Sequence, residues 1–83
     1  MMRPYWIVTE RRLYPGIRSG VGITARSEAD ALEIYSQCFN AYRLISIEII
    51  HDMRQLDQNH VAPNMGNWFL RGVWYPRGYQ DRI

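Results

Sequence analysis

Residues 21–39 read VGITARSEADALEIYSQCF, a short β-rich segment that runs directly into an amphipathic one. Residues 21–25 predict a strand, because β-branched side chains dominate them. Ser27 is a typical helix N-cap, and Asp30 stands three residues later, where a capping-box acid belongs. The apolar residues that follow recur at spacings of three and four, which predicts a helix with one buried face. That face would consist of Ala31, Leu32, Ile34, Tyr35, Cys38 and Phe39.

Strands are predicted on both sides of this segment. Residues 4–10 are rich in aromatic and β-branched side chains, and a loop with Pro15 and Gly16 joins them to residues 21–25 as a hairpin. Residues 43–52 alternate between two faces, and we expect the face with Ile45, Ile47 and Ile49 to meet the helix. Residues 68–75 alternate in the same way, and we expect their core side to carry Trp68, Leu70 and Trp74.

These elements predict one small α+β domain spanning residues 1–83. It would contain a mainly antiparallel sheet of four or five strands with one helix on one face, in the order ββαββ. Because one helix covers one face, the other face is expected to meet water or a partner, and self-association as a homodimer is predicted there. The open face would present Thr24, Arg26, Ser46, Glu48, Phe69, Arg71 and Tyr75.

The composition is that of an ordered globular chain. Hydrophobic residues make up 47% and charged residues 22% of the 83 positions, which argues against disorder. The one cysteine, Cys38, has no partner for an internal disulfide, and the N-terminus lacks the pattern of a secretory leader. No apolar run approaches the ~18 to 20 residues of a membrane-spanning helix. We therefore expect a cytoplasmic protein that does not enter membranes.

The sequence offers no pattern typical of catalysis. All ten basic residues are arginine, so a Schiff-base lysine and a phosphate-loop lysine are excluded. His51, Asp52, Asp57 and His60 lie close together, but their spacing matches no established set of metal ligands. We therefore predict that the protein is not an enzyme and that it has no catalytic residues, no metal and no cofactor.

A contact surface is predicted near the C-terminus. Residues 67–79 read NWFLRGVWYPRGY and concentrate tryptophan, tyrosine and arginine, the types that dominate binding hot spots. The loop before residue 20 also combines arginine with tyrosine. The predicted partner-binding residues are Arg11, Arg12, Tyr14, Arg18, Arg71, Tyr75, Arg77 and Tyr79.

Two kinds of partner fit such a surface. A protein partner would use the aromatic and arginine side chains as anchors. The alternative is a small nucleic-acid-binding protein, because arginine pairs with phosphates and aromatic rings stack on bases. The net charge of +2 is low for a dedicated nucleic-acid binder, so we favour the protein partner.

Residues 22–32, GITARSEADAL, form a strand that leads into a serine-capped helix, with a hairpin strand before it and further strands after it. This layout resembles that of compact phage-encoded anti-CRISPR proteins. The resemblance implies a viral protein that packs a sheet against one helix and has no chemistry of its own. It further implies an inhibitor or adaptor that blocks a bacterial surveillance complex by binding its protein subunits.

Overall fold

The computed structural model describes residues 2–10, 20–39, 43–56, 58–59 and 61–75. The elements are β1 (Arg3–Thr9), β2 (Val21–Ala25), α1 (Glu28–Phe39), β3 (Leu44–Ile49) and β4 (Gly72–Tyr75), with short 3-10 helices at Met53–Gln55 and Ala62–Asn64. The described chain thus has one α-helix and a four-stranded antiparallel sheet, which confirms the predicted α+β class and the order ββαββ.

The strands lie in the order β3-β1-β2-β4, and every neighbouring pair is antiparallel. β1 and β2 form the predicted hairpin, with Tyr5 opposite Ile23. On its other side β1 pairs with β3, where Ile7 lies opposite Ile47. The two strands nearest the N-terminus therefore form the centre of the sheet, and β3 and β4 form its edges.

The helix begins where the sequence predicts. The backbone N–H of Asp30 donates to Ser27 Oγ (3.1 Å), and Asp30 Oδ2 accepts from the backbone N–H of Arg26 (3.0 Å). Glu28 and Asp30 place negative charge in the first turn, where the helix dipole favours it. Asn40, the predicted helix stop, lies outside the described residues. No helix in the described ranges has the length and apolar character needed to cross a membrane.

The helix covers one face of the sheet. Its buried residues pack on side chains from three strands, and each fully buried aliphatic side chain contributes roughly 1.5 to 3 kcal/mol to folding. This helix-side cluster consists of Tyr5, Ile7, Val21, Ile23, Ala25, Ala31, Ile34, Tyr35, Phe39 and Val73. Leu32, predicted to belong to the buried stripe, is 39% exposed.

β3 follows its predicted alternation only in part. Its pairing with β1 shifts by one residue, so that Ser46 lies opposite Val8 and Leu44 opposite Thr9. Ile47 and Ile49 pack against the helix-side cluster as predicted. The prediction for Ile45 is wrong: as the extra residue it is 61% exposed, and Leu44 packs against the cluster. A β-bulge reverses the alternation beyond it, which explains the exchange.

The last strand also differs from the prediction. β4 begins only at Gly72, and the chain before it forms a turn. The predicted facing is wrong as well, because Val73 packs on the helix side and Trp74 with Tyr75 on the opposite side. Tyr75 lies opposite Gly22 and Val73 opposite Ile23, so Trp74 is an extra residue in the pairing with β2. Such an irregularity breaks the alternation of side chains.

The second face of the sheet is covered by the chain itself. The described residues between β3 and β4 supply side chains that pack over β2 and β4. This second cluster consists of Ile50, Leu56, Val61, Trp74 and Tyr75, with Trp6, Met65 and Trp68 partly buried beside them. The predicted open face is therefore wrong over β2 and β4, where Thr24 and Tyr75 are buried. Ser46 and Glu48 of β3 remain exposed, as predicted.

Trp74 lies directly on a glycine of the neighbouring strand. A Cβ atom at Gly22 would overlap the six-membered ring of the Trp74 indole, so any larger residue there forces the ring to move. Trp74 is completely buried. Gly22 is thus required by the close approach of an aromatic ring to the β2 backbone.

We expect Trp74→Ala to lower the free energy of unfolding by ~3 to 5 kcal/mol, because it removes a fully buried aromatic ring and leaves a cavity. Phe69→Ala is the matched control, since Phe69 is 80% exposed, and it should cost less than ~1 kcal/mol. Urea denaturation of the three proteins measures both. Equal stability of the two variants would contradict the assignment of Trp74 to the second cluster.

Candidate functional site

Two of the eight predicted partner-binding residues, Arg71 and Tyr75, lie in the described part of the chain. The other six lie outside it: Arg11, Arg12, Tyr14, Arg18, Arg77 and Tyr79. The joint surface predicted from the first loop and the C-terminal tail therefore stays a prediction.

Arg71 is held in an ion pair with the first turn of α1. Its Nε and Nη2 donate to the two carboxylate oxygens of Asp30 at 3.0 Å and 2.6 Å. This bidentate geometry is the strong form of an arginine–carboxylate contact. The hydrogen bond from Arg71, with a second from the Arg26 backbone, lowers the pKa of Asp30 to about 2. The contact ties the residue before β4 to the start of the helix.

Tyr75 packs inside the fold. Its side chain is 2% exposed, and its ring lies 5.7 Å from that of Trp6, centre to centre. The prediction that Tyr75 stands on an open face is thus wrong. Its contact with a partner has no support in this arrangement and stays a prediction.

The most exposed aromatic side chain in the described residues belongs to a turn that we call the Phe69 turn, residues 67–70. Phe69 is 80% exposed and Leu70 is 56% exposed. Asn67 shapes the turn: its Oδ1 accepts from the backbone N–H of Phe69 (3.0 Å), and its carbonyl oxygen accepts from that of Leu70 (3.3 Å). Two adjacent apolar side chains are therefore presented to solvent by a hydrogen-bonded turn.

The Phe69 turn is anchored from both sides. The hydroxyl of Thr24 in β2 donates to the carbonyl oxygen of Trp68. The Trp68 ring meets Trp74 edge to face, with centres 6.0 Å apart. On the other side of the turn, the ion pair of Arg71 fixes the chain to α1. A surface held in this way loses little conformational entropy on binding, which favours affinity.

A groove runs along one side of the turn. Its volume is about 240 Å³, and most of its walls are apolar. It is lined by Met2, Pro4, Thr24, Ile50, His51, Trp68 and Phe69. Apolar area of this kind beside an exposed aromatic ring is typical of a binding surface.

Positive charge lies near this groove. The exposed Arg26 follows β2 and stands two residues after Thr24, which lines the groove. Arg3 lies opposite Ala25 of the helix-side cluster, so its side chain is on the other face of the sheet. The nearby carboxylate of Asp52 is paired with Arg54 (2.7 Å), whose hydrogen bonds lower the pKa of Asp52. The positive charge of Arg26 thus lies near the end of the groove, which favours an acidic group on the partner.

The described residues contain no grouped set of metal ligands around His51 and Asp52. Within the described ranges, no three His, Cys, Asp or Glu side chains are grouped so as to hold a metal ion. Asp52 caps the first 3-10 helix, where its Oδ1 accepts from the backbone N–H of Arg54. Asp57 and His60 lie outside the described residues.

Phe69 was predicted on the open face and is exposed, whereas the exposure of Leu70 was not predicted, and neither residue was among the predicted partner-binding residues. Their apolar character, read with Trp68 and Trp74, indicated a strand, and Leu70 was expected in the core. The signal that could have shown the turn is Gly66-Asn67, directly before Trp68, because glycine and asparagine favour turns.

The ion pair between Arg71 and Asp30 predicts a pH dependence of stability. The folded-state pKa of Asp30, about 2, lies below its ordinary value of 3.8. The stabilisation is therefore complete above about pH 4 and is lost as the pH falls toward 2, by at most ~2 kcal/mol because Arg71 is partly exposed.

Urea denaturation between pH 2 and 5 measures this loss, and Asp30→Asn should flatten the curve in that interval. Arg71→Gln should flatten it less, because the hydrogen bond from the Arg26 backbone still lowers the pKa of Asp30, and the double variant should behave like Asp30→Asn. Unchanged slopes in both single variants would contradict the assignment.

Comparison of the chain with protein-family models, with curated protein sequences and with solved structures found no match.

Proposed function

We propose that this chain is a non-catalytic protein-binding module that contacts its partner through the Phe69 turn and the adjacent groove. Its class is that of a phage-type inhibitor or adaptor, which blocks a larger protein or nucleoprotein complex by occupying one of its protein surfaces. The proposed class rests on the resemblance of residues 22–32 to anti-CRISPR proteins. The proposed contact surface rests on the structure of the Phe69 turn.

The observation that carries this proposal is the exposure of Phe69. A phenylalanine that is 80% exposed contributes little to folding, although the side chain and the backbone of Asn67 hold its turn in place. Exposed apolar rings in fixed positions are typical binding anchors, because they bury a large area at low entropic cost.

The groove and the charge of Arg26 indicate the chemistry of the partner. An apolar side chain of the partner would fill the groove beside Phe69, and an acidic residue next to it would face Arg26. Such an exposed charge mainly raises the association rate, whereas the buried apolar contact supplies most of the affinity. Binding should therefore depend only moderately on salt.

The experiment is capture of partners from a bacterial lysate by the tagged protein, with and without nuclease, followed by mass spectrometry. We expect a protein partner that survives nuclease. Phe69→Ala should weaken its binding at least tenfold, because a central anchor contributes ~2 kcal/mol or more. Leu32→Ala removes a partly exposed leucine from the helix and should leave the affinity unchanged.

Two outcomes would overturn the proposal. Equal capture by Phe69→Ala and by the parent protein would exclude this surface. Loss of all protein partners after nuclease, with recovery of nucleic acid, would favour the alternative, a nucleic-acid-binding protein with arginine and aromatic contacts. A steep fall of affinity with salt would accompany that result, because phosphate contacts release counterions.

The inhibitor role is tested separately with the captured partner. Addition of the parent protein in equal amounts should abolish the activity of the partner complex, and Phe69→Ala should not. Tight binding without any loss of activity would indicate an adaptor.

A further inference from the structure

β3 is an edge strand, and its only bulge among the described residues lies at Ile45, so that residues 46–49 form a regular edge. Among the described residues it pairs on one side only, with β1. Its sequence, LISIEI, contains neither proline nor lysine, the residues that commonly block edge pairing, and its one charge is that of Glu48. Ile45, Ser46 and Glu48 are all exposed. Within the described ranges, the outer edge of β3 therefore has no strand paired to it and can pair with another one.

The hydrogen bonds to β1 show which backbone groups face outward. The N–H of Ile50 donates to the carbonyl oxygen of Pro4 (2.8 Å), so Ile50 directs its backbone groups toward β1. Directions alternate along an antiparallel strand, so Glu48 and Ser46 also face β1. Ile47 and Ile49 then direct their N–H and C=O groups to the free edge.

We propose that a second copy of the chain pairs with this edge, antiparallel, with Ile47 of one copy opposite Ile47 of the other. The two sheets would become one continuous sheet across a twofold axis, and the interface would be isologous. This places self-association at the edge of the sheet, away from the Phe69 turn.

Charge selects this register. Because Ile47 and Ile49 direct their backbone N–H and C=O groups outward, a symmetric antiparallel dimer has few possible registers. An axis at Glu48 would place two Glu48 carboxylates opposite each other, which is unfavourable. An axis at Ile47 instead places Ser46 opposite Glu48 of the second copy, twice by symmetry, so that each hydroxyl can donate to a carboxylate.

The ends of the strand are complementary as well. The N–H of Glu10 donates to the carbonyl oxygen of Arg43 (2.9 Å), so the ladder continues past the bulge at Ile45. The bulge puts Arg43 on the same face as Ser46 and Glu48. In the Ile47 register, Arg43 lies diagonal to Glu48 of the second copy, within reach of a long side chain. Opposite charges are thus brought together and like charges kept apart.

Sedimentation of the full chain tests the proposal, over about 10 µM to 1 mM, where a weak interface is populated. We expect a monomer–dimer equilibrium. Ser46→Glu should raise the dimer dissociation constant about tenfold, because it places two glutamates opposite each other twice. Gln37→Glu is the matched control: it adds the same charge on the exposed side of α1 and should have no effect.

A second variant shows whether Ser46→Glu weakens the dimer through charge repulsion across the interface or through a change in the fold of each copy. The double variant Ser46→Glu/Glu48→Lys restores opposite charges across the axis and should recover the dimer. Amide hydrogen exchange gives a second readout: the N–H groups of Ile47 and Ile49 should become protected as the protein concentration rises. A monomer at every concentration, or a dimer unaffected by Ser46→Glu, would overturn the proposal.

Discussion

The structure depends on the contact between the Trp74 ring and the backbone of Gly22. A fully buried indole needs room, and the missing Cβ of glycine provides it on the neighbouring strand. Since Trp74 is the extra residue in the pairing of β2 with β4, its ring points away from the helix. The backbone N–H of Gly66 donates to the Trp74 carbonyl oxygen, which holds the preceding chain in place. The position of the Phe69 turn follows from this contact.

Much of the fold could be predicted because its signals are local. The cap at Ser27, the helix stripe and the hairpin of β1 with β2 depend on neighbouring residues, and the sequence shows them directly. The two bulges could not be predicted, because each is a property of the pairing between strands. In each bulge one extra residue shifts the alternation of side chains, so that Ile45 lies outside the core and Trp74 lies on the face away from the helix.

The candidate site was predicted less well, for a related reason. Asp30 and Arg71 form their ion pair across 41 positions of the chain, so the sequence could not show that this guanidinium has an internal partner. The second cluster includes Leu56 and Val61 from a segment rich in polar and turn-forming residues, and no local pattern indicates that this segment folds back on the sheet. Once it does, Tyr75 is buried and Phe69 becomes the exposed ring.

All three tryptophans belong to the second cluster. Trp74 lies 6.2 Å from Trp6 and 6.0 Å from Trp68, between ring centres, whereas the aromatic residues of the helix-side cluster are tyrosine and phenylalanine. Intrinsic tryptophan fluorescence is thus a property of one layer of the molecule, and far-ultraviolet circular dichroism of the helix is a property of the other. The protein carries a separate optical signal for each side of its sheet.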